Sequence, residues 1–333
     1  MPPKRRAAAV FVHGLAKKPP LEKLKEIWLW GLSIGNPRPD VFPDSKVGIN
    51  LVDDGVPHFF NYYADVFYAD DYETDFQSYY ESDQQLEKAD GVAEIEPGLP
   101  QPKGVTPREQ EFLRNVEAKM RASPGMLIPS APARPVVVES GAGDREIAAW
   151  LPGPVKEAII RKAAMEAYYF LFDKEYERPK DKTRFKVRVE LRARLLRELR
   201  AAAEKGERIV LVSHSMGTMV AYDVLRNCPD CPSVDTLITL GSPLGITEVQ
   251  DELRASGTSH VDFPAAKLRR WINIYDPLDP VCGADPKFAN DFAPVDGKKV
   301  EDVKESNWGY WRHTITHYFA GTEFRKRMVE ALS

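Results

Sequence analysis

Ser215 stands in the segment Ile209-Val210-Leu211-Val212-Ser213-His214-Ser215-Met216-Gly217, where a four-residue apolar run gives way to residues that open a helix carrying Val220, Val224 and Leu225 on one side. A serine at such a strand-to-helix turn is held in a strained backbone conformation that lifts its hydroxyl clear of the sheet, and small residues two before and two after let strand and helix approach. Ser213 and Gly217 are those residues, and Ser213 is the one departure from the G-x-S-x-G pattern. The first N–H groups of the helix are unsatisfied and its dipole is positive at that end, which suits an oxyanion, with the Met216 N–H as first donor. A second donor must come from the end of another central strand. Val10-Phe11-Val12-His13-Gly14-Leu15 offers the Leu15 N–H, and Gly14 permits the turn that aims it. The chemistry open to such a group is nucleophilic acyl transfer.

That chemistry needs an imidazole base and an acid to orient it. Trp271-Ile272-Asn273-Ile274-Tyr275-Asp276-Pro277-Leu278-Asp279-Pro280-Val281 ends a strand with two aspartates, of which Asp276, before proline, reads as the closure of an Asx turn. Of the six histidines only His313 and His317 follow them, between a last strand, Val300 to Lys304, and a C-terminal helix from Thr322. A catalytic imidazole should project from the connecting loop, which favours His313; His317, in a short helical turn, is the alternative. His214 reads as a filler beside the serine, His13 as structural, and His58 and His260 stand outside any motif.

His13-Gly14-Leu15, Ser213-His214-Ser215-Met216-Gly217 and Gly241-Ser242-Pro243-Leu244-Gly245 together resemble α/β-hydrolases of the lipase and esterase kind, a group of lipid deacylases among them. The resemblance covers residues 7 to 15 and 207 to 332. It implies a Ser-His-Asp triad in the chain order Ser, Asp, His, with Asp279 similar to the family's Asp-Pro-Val acid and His313 opening a His-Thr-Ile phrase like the family's. It also implies a serine hydrolase acting on carboxylic esters with apolar acyl chains through an acyl-enzyme, without a cofactor. The same triad would serve an amidase, peptidase or thioesterase, and a catalytically silent fold used for binding is the rival from another class.

The elements that must position these residues alternate strand and helix. Ala7 to Val12, Ile209 to Val212, Thr236 to Leu240 and Trp271 to Tyr275 are short apolar runs of the kind buried on both faces of a parallel sheet. Leu21, Leu24, Ile27, Trp28 and Leu32 recur at helical spacing, as do Val187, Leu191, Leu195, Leu196 and Leu199, whose helix stops at Lys205-Gly206. A further strand is expected near Ala64-Asp65-Val66-Phe67-Tyr68. The expected fold class is α/β, a mostly parallel sheet with helices on both faces, in a single domain over residues 1–333. Residues 69–182 form an insertion within it that acts as a cap or lid. Eleven acidic residues run from Asp65 to Glu96 against the single Lys88, the composition of a solvated excursion. From Pro152 to Asp173 a helix ends in Tyr168-Tyr169-Phe170-Leu171-Phe172, too apolar to face water all round.

Composition narrows the partners. A chain of 333 residues that is 43% apolar has material for a sizeable core, and a net charge of −4 lacks the basic footprint of a nucleic-acid binder. No apolar stretch approaches the ~20 residues of a membrane span, so membrane contact would be peripheral. The positive N-terminus is followed by too short an apolar run for a signal peptide. Cys228, Cys231 and Cys282 are too few for a disulfide framework and favour a reducing, cytoplasmic setting. No His, Cys and carboxylate cluster has metal-ligand spacing. The partner implied is a small-molecule or lipid ester.

Overall fold

The computed structural model describes residues 7–14, 18–36, 48–68, 99, 105–124, 137–140, 144–147, 153–254, 257–283, 285–307 and 312–333. In chain order the elements are β1 (Ala7–Val12), α1 (Leu21–Ser33), β2 (His58–Asn61), α2 (Ala64–Phe67), α3 (Pro107–Ala122), β3 (Val137–Ser140), β4 (Asp144–Ile147) and α4 (Gly153–Leu171). There follow β5 (Glu175–Glu177), β6 (Arg184–Lys186), α5 (Val187–Lys205), β7 (Arg208–His214), α6 (Gly217–Asn227), β8 (Val234–Leu240), α7 (Thr247–Leu253), β9 (Leu268–Tyr275), β10 (Val300–Lys304), α8 (Ile315–Ala320) and α9 (Thr322–Leu332).

Six strands form one sheet in the order β10-β9-β8-β7-β1-β2, and every neighbouring pair is parallel. Two helical layers cover it, as the two-sided burial of its strands requires. The alternation of β1 sorts the layers: Ala8, Val10 and Val12 join the apolar cluster that holds the buried faces of α3, α4, α5 and α6. Ala7, Ala9 and Phe11 join the cluster of Trp28 from α1, Tyr318 from α8 and Met328 from α9. This is an α/β fold with a parallel central sheet. β3–β4 and β5–β6 are separate antiparallel pairs.

The expected strand at Ala64 to Tyr68 is a correction. The strand is β2, six residues earlier, and Ala64–Phe67 is a helical turn. The partner of β1 is chosen by packing: Phe60 lies opposite Phe11 in register and stacks on it at 4.9 Å. Ala64, Val66 and Phe67 bury their side chains from the helical turn instead, and Asp65 pairs with Arg194 of α5.

The apolar end of α4 lies in the same cluster as the sheet, with Tyr168 and Phe170 fully buried. The acidic stretch from Asp70 to Glu96, and most of residues 125–152, lie outside the described residues. Among the described residues no helix is long and apolar enough to cross a membrane. All three cysteines are free and buried.

Candidate active site

In an open parallel sheet the crevice for a ligand lies beyond the carboxyl ends of the strands, where the strand order reverses. Here that point falls between β1 and β7, since the chain runs from β1 outward to β2 on one side and from β7 outward to β8, β9 and β10 on the other. Gly14 follows β1 and Ser215 follows β7 at this point. A Cβ added to Gly14 would come 2.6 Å from the Ser215 Cβ and 3.1 Å from its Oγ, so the two strand ends meet with no room for a side chain.

Ser215 has φ +55°, the left-handed region, which costs a non-glycine residue about 1–2 kcal/mol. The turn is held by bonds on both sides. The Ser215 N–H donates to the Leu240 carbonyl at 2.9 Å. The Thr218 hydroxyl donates to the Ser215 carbonyl at 2.6 Å, which leaves Ser242 Oγ to donate to Thr218 Oγ1, also at 2.6 Å. Ser242 in turn accepts from the Leu244 N–H. The Gly-Ser-Pro-Leu-Gly segment after β8 thus clamps the serine turn. Gly217 lets α6 start against β1: a Cβ there would sit 2.4 Å from the His13 carbonyl oxygen. Met216 is already helical (φ −55°, ψ −30°), so its N–H belongs to the first turn, whose donors have no intrahelical acceptor. Leu15, the other expected oxyanion donor, lies outside the described residues.

Asp279 and His313 meet. His313 Nδ1 is 2.8 Å from Asp279 Oδ2 and 3.0 Å from Oδ1, with both side chains buried. A carboxylate only accepts, so Nδ1 carries the proton and Nε2 presents its lone pair as a base. The Val281 N–H donates to Asp279 Oδ1 at 2.8 Å and the Tyr318 hydroxyl to Oδ2 at 2.7 Å. Burial alone would raise the Asp279 pKa; the charge of His313 and these hydrogen bonds outweigh it and hold the carboxyl below its ordinary value. Tyr318 is pushed well up, by burial and then by Asp279, so it stays a phenol and a donor. Gly241, at φ +53°, makes room for the pair. A Cβ there would lie 2.6 Å from Asp279 Oδ2 and 3.0 Å from His313 Nδ1.

Gly241 follows Leu240, the residue that receives the Ser215 N–H, so Ser215 and the His313–Asp279 pair flank the same stretch of chain. The Ser215 hydroxyl is fully buried and makes no hydrogen bond to a described residue.

His317 lies buried in α8, and the imidazole the structure sets on Asp279 is that of His313. Asp276 closes its turn as expected, accepting from the Leu278 N–H at 2.8 Å. It also pairs with Arg312 at 3.2 Å and accepts from the Asn307 N–H at 2.8 Å, tying the histidine loop to the aspartate turn. Burial lifts its pKa to about 6 despite Arg312. His13 is held by backbone: Nδ1–H donates to the Gly14 carbonyl at 2.7 Å and Nε2 accepts from the Tyr63 N–H at 3.0 Å. Burial lowers its pKa to about 3, so it is a neutral strut under the β1 turn. Sequence reasoning missed Tyr318 and the Asp276–Arg312 tie. Both sit within a few residues of the triad candidates, but one-dimensional spacing carries no sign that a tyrosine in a helix meets a carboxylate in a distant loop.

No protein-family model matches the chain, and no curated protein does. Among solved structures the chain is similar to an uncharacterized protein from Pseudomonas aeruginosa, at 9% identity and a TM-score of 0.28, over 91% of this chain and 41% of that one.

Proposed function

We propose that this chain is a serine hydrolase of the α/β-hydrolase kind that cleaves carboxylic esters by way of an acyl-enzyme. The reading rests on one observation: a serine in left-handed conformation at the strand-order reversal, beside a buried His313–Asp279 pair whose tautomer presents Nε2 as base. Ser215 Oγ attacks the ester carbonyl while His313 takes its proton. Asp279 keeps the imidazole oriented and stabilises the imidazolium, and the alcohol leaves with the proton His313 returns. The oxyanion rests on the Met216 N–H and, in this reading, that of Leu15. Water then attacks the acyl-enzyme with His313 again as base, freeing the acid and Ser215.

Residues 69–182 are proposed as a cap. Three contacts support this: the Ser123 hydroxyl, at the end of α3, donates to the Pro280 carbonyl beside Asp279, and Lys119 and Arg108 pair with Glu248 and Glu252 of α7. The α3 part of the insertion therefore abuts the loop that carries Asp279. An ester with an apolar acyl chain, lipid or smaller, is the substrate class proposed.

A panel of p-nitrophenyl esters of graded chain length, together with labelling by a fluorophosphonate probe, tests the reading. Ser215→Ala is expected to lose at least ~10³-fold in kcat and all labelling while melting near the parent, and His313→Ala to fall to the same level. Full activity in Ser215→Ala would remove the nucleophile, and an unlabelled, inactive parent would favour a silent binding fold.

A further inference from the structure

His214 precedes the nucleophile and ends β7. Successive side chains of a strand point to opposite faces, so where Ser213 faces the α6 side, His214 faces the layer of α8. There its Nε2 lies 2.9 Å from the backbone carbonyl oxygen of His313, and its ring lies over the His313 ring, centroids 4.4 Å apart and 31° from parallel. A carbonyl only accepts, so Nε2 carries the proton and Nδ1 of a neutral ring is a bare acceptor. Nδ1 has no hydrogen-bond partner among the described residues, and the side chain is buried.

A residue whose only task was to fill space here would be apolar, because burying an unsatisfied ring nitrogen is unfavourable. Among the described residues, the one hydrogen bond the imidazole makes goes to the candidate base. We infer that His214 is a positioning residue: its Nε2–H holds the His313 backbone, and its ring supports the His313 ring, so that the base is fixed from the same strand end that carries Ser215. Asp276–Arg312 and Asn307 Nδ2, which donates to the Arg312 carbonyl at 2.8 Å, hold the other side of that loop. The loop is thus pinned before His313 by β9 and at His313 by β7.

Among the described residues, the charged and titratable groups facing this ring are few. His313 lies on it, Tyr318 of α8 is 6.1 Å away between centroids, and the field of Lys18 and the ring of His13 reach it from the β1 side. Burial first, then the charge of His313, then Lys18 keep the ring neutral. It therefore remains a single-proton donor while His313 cycles through imidazolium.

The inference rests on the proposed serine hydrolase reading, and the test separates the two. Three variants of the full chain place the donor differently: His214→Gln puts an amide N–H near the Nε2 position, His214→Asn near Nδ1, and His214→Phe keeps only the ring. Loss of the correct donor is expected to lower kcat roughly 10- to 100-fold in Phe and Asn, with KM within about two-fold, while Gln stays within about three-fold of the parent. In parallel, NMR of the histidine ring N–H protons needs no activity. The His313 Nδ1–H resonance should persist in Gln and broaden in Phe and Asn, as the bond to Asp279 loosens and the proton exchanges faster with water. Equal behaviour of Gln and Asn, or an unaltered His313 resonance in both Phe and Asn, overturns the inference whether or not the protein hydrolyses esters. Loss of labelling in the parent would sink the hydrolase reading alone, since the resonance comparison would still decide the role of His214.

Discussion

At the scale of single residues, the site is a set of imidazoles whose tautomers are fixed by what surrounds them. His13 donates from Nδ1 to a carbonyl and accepts at Nε2, His214 donates from Nε2, and His313 donates from Nδ1 to Asp279. Of these only His313 has an anionic partner, Asp279. The other two are kept neutral by burial. Asp279 gathers donors from His313, Tyr318 and the Val281 backbone, so no single one of them decides its charge. Tyr318→Phe removes a hydrogen bond to a charged group, worth about 1.5–3 kcal/mol where nothing compensates; with the other donors still in place, we expect kcat to fall about 10-fold and KM to hold. Steady-state kinetics on the best ester of the panel measure it. An unchanged kcat would show that the phenol serves packing alone.

At the scale of elements, what was legible in the sequence followed from two-sided burial. β7, β8 and β9 must be apolar on both faces, so they stood out as short unbroken runs, and the turn after β7 stood out because a serine there has small neighbours. β2 did not stand out: it is a four-residue edge strand that includes His58 and Asn61, while the more apolar Ala64–Phe67 beside it spends its hydrophobicity on one helical turn. Gly206 ends α5 as expected, but from an extended backbone (φ −133°) instead of a left-handed one, and a Cβ there would come 2.8 Å from the Ala8 Cβ. Its absence of side chain serves the approach of α5 to β1. The choice between His313 and His317 rests on loop placement, because spacing alone does not tell whether the loop before α8 or α8 itself meets the turn after β9. The apolar end of α4 had two readings, core or pocket wall. Phe170 is fully buried with the sheet residues, and Arg188 stacks 5.7 Å over its ring, whereas Phe172 is half-buried against Phe112 at 5.2 Å. Phe170→Ala should therefore cost about 3–5 kcal/mol and lower activity toward all chain lengths alike. Phe172→Ala should cost roughly half as much or less, since it leaves a smaller void. Denaturant melts of both variants, read beside their ester profiles, decide the matter: a change of preferred chain length in Phe170→Ala without loss of stability would make that ring a pocket wall.

At the scale of the whole molecule, burial of ionisable groups sets opposing slopes of stability against pH. Glu305, at the end of the strand paired with β9, accepts from the Glu323 N–H at 2.7 Å at the start of α9, yet burial lifts its pKa from 4.5 to about 7. Asp276 is lifted from 3.8 to about 6. For both, the folded state binds a proton more tightly than the unfolded chain, so stability increases as pH falls through the folded value and levels off below the unfolded one. His13 acts in the other direction: lowered from 6.5 to about 3, it stays neutral in the fold while the unfolded chain takes up a proton, and stability is lost as pH falls below 6.5. His214 adds to that loss. Between about pH 7 and 4 the two pairs oppose one another, and the stability curve should be nearly flat there. Below that range it should drop, as carboxylates held low by partners, Asp279 and the Arg-paired Asp223 and Asp235 among them, become protonated. Glu305→Gln isolates one slope. The amide keeps an oxygen for the α9 N–H groups but carries no charge to desolvate, so the variant should be more stable than the parent at pH 8 and close to it at pH 4.5. The change in that difference is on the order of 3 kcal/mol, the free energy of a shift from 4.5 to about 7. Chemical denaturation of parent and variant at the two pH values measures it, and a stability difference that is the same at both would mean that Glu305 is ionised alike in the folded and unfolded chain.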